Sequence, residues 1–232
     1  RLAAEMAHCR VDEGWVSRTR PGLPNHAFAS LTWANMQRIG GTVMPEEAKA
    51  FAREVQANLG ARPMPEPFLP EVTDLIDPQE ADRRMRAMMQ ADVDHFTNDD
   101  YVEYTWQTPT VRFFMGRPML APPEPGFRYP DWAMNALGGF APAIDPMTEG
   151  AGRVIASTAI DLLTDPAHLT AIRAEFDSRT GGGIGGKGWL PPFFDRNTPP
   201  PIHYRWPEYV TTERGREWCI PRQPESVERP AG

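Results

Sequence analysis

Residues 92–106, DVDHFTNDDYVEYTW, set Asp92, Asp94, Asp99, Asp100 and Glu103 beside His95 and among aromatic rings. Carboxylates crowded this closely raise one another's pKa. A fold therefore keeps them in solvent, beside Arg or Lys, or around a cation. The first two arrangements describe a solvated acidic loop and the third a metal site. Three arginines just upstream, Arg83, Arg84 and Arg86, are close enough in sequence to neutralise the segment without any metal.

The elements that must position this segment can be read from its flanks. Residues 77–90 predict a helix with Asp77 as N-cap and Pro78 in its first turn. Residues 109–116, PTVRFFMG, predict a strand that delivers the acidic segment to a sheet edge. Earlier in the chain, strand-like content over residues 9–18 ends in Pro21-Gly22-Leu23-Pro24, and Asn25 caps a helix that closes at Gly40 or Gly41. The spacing of Ala48, Phe51, Ala52, Val55 and Leu59 predicts a second helix closed by Gly60. Asp145-Pro146 opens a further helix with Val154, Ile155 and Leu162 on its apolar side. Residues 167–179 make the last one, burying Leu169, Ile172 and Phe176. Residues 1–8 read as the end of a helix that begins outside this chain.

Composition narrows the function classes. The formal net charge of -7 over 232 residues argues against nucleic acid and anionic membrane as partners. No run reaches the ~20 apolar residues of a membrane-spanning helix. Cys9 and Cys219 fit reduced thiols, which leads to the expectation of a cytoplasmic protein. The 26 prolines and 19 glycines gather in long irregular segments, and the mean hydropathy is -0.49. Both features suggest a subunit that wraps a partner or a second copy of itself.

Other motifs are weaker. In residues 181–188, GGGIGGKG, the spacing of a phosphate loop is present, but a helix precedes it and Pro191-Pro192 follows. A linker or close-packed turn is the better reading. The five histidines show no metal-binding spacing, and no G-x-S-x-G elbow is present. Residues 129–139, YPDWAMNALGG, read as a loop with an acid, an amide and paired glycines that let the backbone approach a ligand or a neighbouring strand.

Taken in order, several blocks resemble the aminoacylase and glutamate-carboxypeptidase group of di-metal peptidases, in the branch of amidohydrolases related to aminobenzoyl-glutamate utilization protein B. Leu23-Pro24-Asn25 with its helix resembles the family's return from lid to catalytic domain. Asn98 to Trp106, followed by Pro109-Thr110-Val111, resembles its S-T-D-V-G-D-V-S-W segment and the strand after it. Residues 150–163 and 166–180 resemble its closing helix pair, and Trp218-Cys219-Ile220-Pro221 its tail.

The resemblance implies an α/β fold. Residues 1–22 would end a lid, residues 23–180 would form the C-terminal half of a catalytic domain with a mixed sheet flanked by helices, and residues 181–232 would be a Gly/Pro-rich extension. It implies hydrolysis of an N-acyl amino acid or aryl amide by water activated on zinc or manganese, with a Glu as general base. Most of the ligands and that Glu would belong to an N-terminal-half partner chain, and the pair would further dimerise. Asp100 and Glu103 fall on the family's two Asp positions beside the metals, and Asn98 on its Ser position. Asp131 stands where the family's histidine ligand is expected, with Asn135 nearby as a substrate-binding group. By chemistry alone, Arg112 or Arg153 suits a substrate carboxylate. The competing expectation is a non-catalytic binding or scaffolding subunit whose acidic segment pairs only with Arg83, Arg84 and Arg86.

Overall fold

The structure is a computed structural model that describes residues 2–11, 19–89, 101–195, 197 and 208–219. Contacts divide the chain into two units, residues 1–19 with 192–232, and residues 20–191.

In the first unit, helix α1 (Leu2–Met6) buries none of its residues. Near the other terminus, strands β1 (Glu208–Thr212) and β2 (Gly215–Cys219) pair antiparallel, with Tyr209 opposite Trp218 and Thr212 opposite Gly215. The β-branched run Val210-Thr211-Thr212 favours the pleat, and Gly215 at φ +109° accepts a turn geometry that a side chain resists. Thr212 Oγ1 ties the turn by accepting from the Arg214 amide at 3.2 Å. The Gly/Pro-rich extension of residues 181–232 thus carries a hairpin that was not read from the sequence. Its signal was an alternation of β-formers interrupted by Glu213-Arg214-Gly215.

The second unit is helical. Helices α2 (His26–Ile39) and α3 (Glu46–Asn58) come first, then the short α4 (Pro70–Thr73) and α5 (Pro78–Met88). A 3-10 helix spans Val102–Trp106, and α6 (Asp131–Gly138), α7 (Ala141–Thr164) and α8 (Pro166–Thr180) complete the unit. The principal core forms where Ala48, Ala52 and Val55 of α3 meet Ala133 and Leu137 of α6 and Ala143 and Met147 of α7. The predicted α3 stripe is therefore the core stripe. Phe51 and Phe140 extend it with ring centroids 4.3 Å apart.

Three expectations change. Residues 129–139 are not a loop: α6 fills most of them, because Ala133 and Leu137 are one turn apart and both buried, with Pro130 before the helix and Gly139 after it. Helix α7 starts at Ala141 rather than at Asp145, and carries Pro146 inside it. Proline has no amide to donate, so the Pro142 carbonyl loses its helical partner near an end where the ladder is incomplete anyway. Residues 109–116 belong to no strand. Local pairing is limited to a bridge between Phe68 and Leu120. Gly116 packs its bare Cα against α4, where a Cβ would lie 2.9 Å from the Glu71 carbonyl oxygen.

Among the described residues the chain is thus helix-rich and mixed, with a two-stranded sheet, and this agrees with the α/β class at that coarse level. No helix there is long and apolar enough to cross a membrane. The strand expected over residues 9–18 lies mostly outside the described residues.

Candidate functional site

The described end of the acidic segment lies against the start of α2, and polar bonds between residues far apart in sequence build the junction. Asn25 accepts from the Phe28 amide at 2.9 Å as an N-cap, while its own amide donates to the Ile172 carbonyl of α8 at 2.9 Å. Glu175 of α8 accepts from the His26 and Ala27 amides at 2.9 and 2.7 Å. Three of the four amides that a helix start leaves unpaired are therefore taken by side chains. Partial burial works against the Glu175 charge. The amides of Ala27 and His26, and then Arg179, outweigh it and hold this carboxyl below the usual carboxylate range.

The 3-10 helix is fastened in the same manner. Thr105 Oγ1 accepts from the Leu23 amide at 2.7 Å and donates to the Val102 carbonyl at 2.6 Å. The Trp106 indole donates to the Pro21 carbonyl at 2.9 Å, and the Trp189 indole donates to the Trp106 carbonyl at 2.6 Å. Buried Arg20 joins both sides: its Nε lies 3.0 Å from Glu103 Oε1, and Nη2 donates to the Pro191 carbonyl at 2.9 Å. Glu103 thus sits in a framework ion pair with Arg20. None of these long-range partners carries a local motif, and Arg20 and Glu175 were not singled out from sequence.

The junction borders a half-open cavity of about 390 Å³, lined by Leu23, Pro24, Tyr101, Val102 and Val111 together with Arg86 and Arg112. The Arg112 guanidinium lies over the rings of Tyr101 and Phe114 at 4.6 and 4.3 Å and donates to the Tyr101 hydroxyl. Such stacking fixes the plane of the guanidinium. A second cavity, of about 430 Å³, lies between the end of α2 and α7. Its apolar floor includes Met36, Leu75 and Met115, with Asp145, Glu149 and Arg153 at its walls. Arg153 is engaged there by Glu149 at 3.4 Å.

The other predicted site residues separate. Asp131 and Asn135 lie one turn apart on α6, both exposed, and line neither cavity. Asn98 and Asp100 lie outside the described residues, as do Asp92, Asp94 and His95. Among the described residues no group of three or more His, Cys, Asp or Glu is placed to hold a metal ion. The described donors therefore do not compose a metal centre by themselves.

Two arginines proposed to neutralise the acidic segment are engaged on their own helix. Arg83 and Arg84 both bind Glu80, at 2.7 and 2.6 Å, and Arg84 also reaches Glu71 at 3.1 Å. Arg84 first, and then Arg83, hold the Glu80 carboxyl below its usual range. Arg86 bonds Asp82 at 2.8 Å.

The glycine loop directs its amides inward rather than around a phosphate. Gly181 ends α8 in the left-handed conformation. The Gly182 amide then donates to the Asp177 carbonyl at 2.7 Å, Gly183 to Thr180 Oγ1 at 2.9 Å, and Gly188 to the Thr180 carbonyl at 2.8 Å. These are the bonds of a helix C-terminal cap, and they explain the glycines. No protein-family model, curated protein or solved structure matches the chain.

Proposed function

We propose that this chain is the C-terminal part of a metal-dependent amidohydrolase that cleaves the amide of an N-acyl amino acid or aryl amide, together with a partner chain holding the N-terminal half. The observation that carries the reading is convergence. The Leu23-Pro24-Asn25 turn, the 3-10 segment and the closing helix α8, which resemble the family in three separate blocks, are joined directly through Thr105, Asn25 and Glu175 around one cavity. A zinc or manganese ion in the shared site would supply activated water for the hydrolysis. In this reading Asp131 contributes one ligand, and Asp100 and Glu103 orient neighbouring groups, Glu103 being held in place by Arg20. Asn98, Asn135 and Arg112 bind substrate. The described residues within 23–180 form no strand, so in this reading the mixed sheet of the catalytic domain belongs to the partner chain.

The exposed outer side of α7 supports a chain that buries more of itself on another polypeptide. Ile155 and Leu163 lie two turns apart there and keep 60% and 84% of their surface in solvent. Further dimerisation and a cytoplasmic location belong to the same proposal.

The scaffolding alternative is favoured by one observation, the engagement of Glu103 by Arg20 in the framework of the junction. Native mass and metal analysis of the purified assembly separate the two readings. The amidohydrolase reading expects a companion chain, bound zinc or manganese, and amide cleavage that falls at least tenfold in Asp100→Ala and Asp131→Ala. A stable, metal-free species with no companion chain would sink it, and unchanged metal content and turnover in both variants would remove these residues from the site.

A further inference from the structure

Helix α7 is packed on one side and bare on the other. Its inner residues Val154 and Thr158 are buried, and Asp161 accepts from Asn35 of α2. Turned away from these, Gly152, Ile155, Ala156, Ala159, Ile160 and Leu163 are all exposed. At about 100° per residue they share one stripe over three turns, and none of them is charged. Ile155, Ile160 and Leu163 keep 60%, 57% and 84% of their surface in solvent, roughly 350 Å² of apolar area, the size of patch that marks an interface. The stripe is not uniform. Leu163 projects at one end, and at the other a side chain on Gly152 would meet nothing within 4 Å. The helix therefore carries a knob and a notch about three turns apart on one line, with alanines between them.

We infer that this stripe is a two-fold interface, on which a second copy of the chain docks through its own α7 with the two helices antiparallel. A two-fold axis level with the middle of the stripe, between Ser157 and Thr158, exchanges its ends. It places Leu163 of each copy over Gly152 of the other and lets the backbones approach across Ala156 and Ala159. Ile155 and Ile160 then lie along the two edges, each beside its counterpart. A parallel pair would set Leu163 against Leu163 and leave both notches empty. An unrelated chain gains nothing from a pattern that fits itself end for end, whereas a two-fold interface requires one. Two copies bury roughly 900 Å² in this way, below the ~1,200 Å² at which standard interfaces begin, so the dimer should dissociate in the micromolar range. The inference deepens the proposed further dimerisation by assigning its surface, and it rests on the amidohydrolase reading only for the place of the dimer in the enzyme.

Sedimentation velocity of the full chain from about 1 to 500 µM should show a reversible equilibrium between monomer and dimer. Gly152→Leu fills the notch. It replaces a mid-helix glycine in open space, so the melting temperature should hold or rise while dimerisation weakens at least about tenfold. Leu163→Ala should weaken it to a similar degree. Combining Gly152→Leu with Leu163→Ala moves the knob to the other end of the same line and should restore the dimer, which neither a folding defect nor a merely adhesive surface would do. In a chain carrying Gly152→Cys and Leu163→Cys, mild oxidation should link position 152 of one copy to position 163 of the other, as located by peptide mass. A chain that stays monomeric at the highest concentration, a dimer indifferent to Gly152→Leu, no recovery in the exchange variant, or a link between the two positions 152 overturns the inference. Where a companion chain co-purifies, its release by Gly152→Leu would assign the stripe to that chain and overturn the inference as well. Failure of the amidohydrolase reading would show instead in the metal content and turnover of the assembly, with the dimer intact.

Discussion

The second unit holds together in two different ways. Around α3, α6 and the first half of α7 the contacts are apolar, and Ala48, Ala52, Leu137 and Ala143 are fully buried in one cluster. Around the start of α2, the 3-10 helix and the end of α8, long-range hydrogen bonds and an ion pair fasten the backbone. Apolar burial is non-directional and supplies stability in proportion to area, whereas a hydrogen bond specifies which two atoms meet. The first region makes the unit fold, and the second sets the geometry of the arginine-lined cavity. One polar side chain crosses the division. Gln56, fully buried on α3, donates to the Tyr129 hydroxyl at 3.0 Å and accepts from the Met64 amide at 2.9 Å, so even the apolar region uses a directional bond to place a loop.

The largest effect should come from the apolar side. Leu137→Ala empties a site with no solvent exposure and should lower unfolding free energy by about 2–5 kcal/mol, read by urea denaturation. Amide exchange in the first turn of α2 should accelerate no more than the global loss of stability requires. A larger acceleration there than in α3 would show that the two regions are not separable.

Asn25→Ala attacks the polar side. It removes the α2 cap and the bond to the Ile172 carbonyl, and should destabilise by about 1–3 kcal/mol, less than Leu137→Ala. Its signature should be local. Amide hydrogen exchange should speed up at Phe28 and in the first turn of α2 while the α3 amides keep their protection. Uniform acceleration across both helices would break the comparison.

The same division explains what could be read in the sequence. The α3 stripe and the N-caps Asn25 and Asp77 were legible because each is a local pattern: a 3.6-residue repeat, or a side chain bonding an amide two or three residues ahead. Helix α6 was obscured by its flanking Pro and Gly, although Ala133 and Leu137 carry the correct spacing. Residues 109–116 have strand composition, but a strand is a relation between two segments, and composition does not supply the second. The junction was illegible for the same reason. Arg20 and Glu103 are separated by 82 intervening residues, and Glu175 caps a helix that begins 149 positions earlier. Of the expected site, Arg112 was placed beside a cavity, whereas Asp131 and Asn135 were grouped with it only by resemblance and lie on a different element.

Glu175 adds a pH dependence to the polar side. Its carboxyl is held below the ordinary value of 4.5, so the unfolded chain binds this proton more readily than the native one. Its contribution is complete above that value and is lost as pH falls through the lowered native value. Glu175→Gln should cost about 1 kcal/mol at neutral pH and flatten the decline in stability between roughly pH 5 and 3, followed by thermal melts. A wild-type melting temperature that stays level across that interval, or that declines equally in the variant, would contradict the assignment.

Glu80 provides the weakest challenge and the sharpest control. Its carboxyl is also held low, by Arg84 and Arg83, but it lies on the partly exposed side of α5, where an ion pair is screened and the side chains lose freedom in forming it. Glu80→Gln should leave the melting temperature without a measurable shift at physiological salt, even though the same direction of pKa change at Glu175 is expected to matter. The contrast follows from the partners. Glu175 satisfies backbone amides that would otherwise be left at a packed helix start, whereas Glu80 exchanges water for two flexible guanidiniums that water can serve equally well. A Glu80→Gln shift as large as that of Glu175→Gln would mean that charge alone, and not the backbone it caps, holds the polar region together.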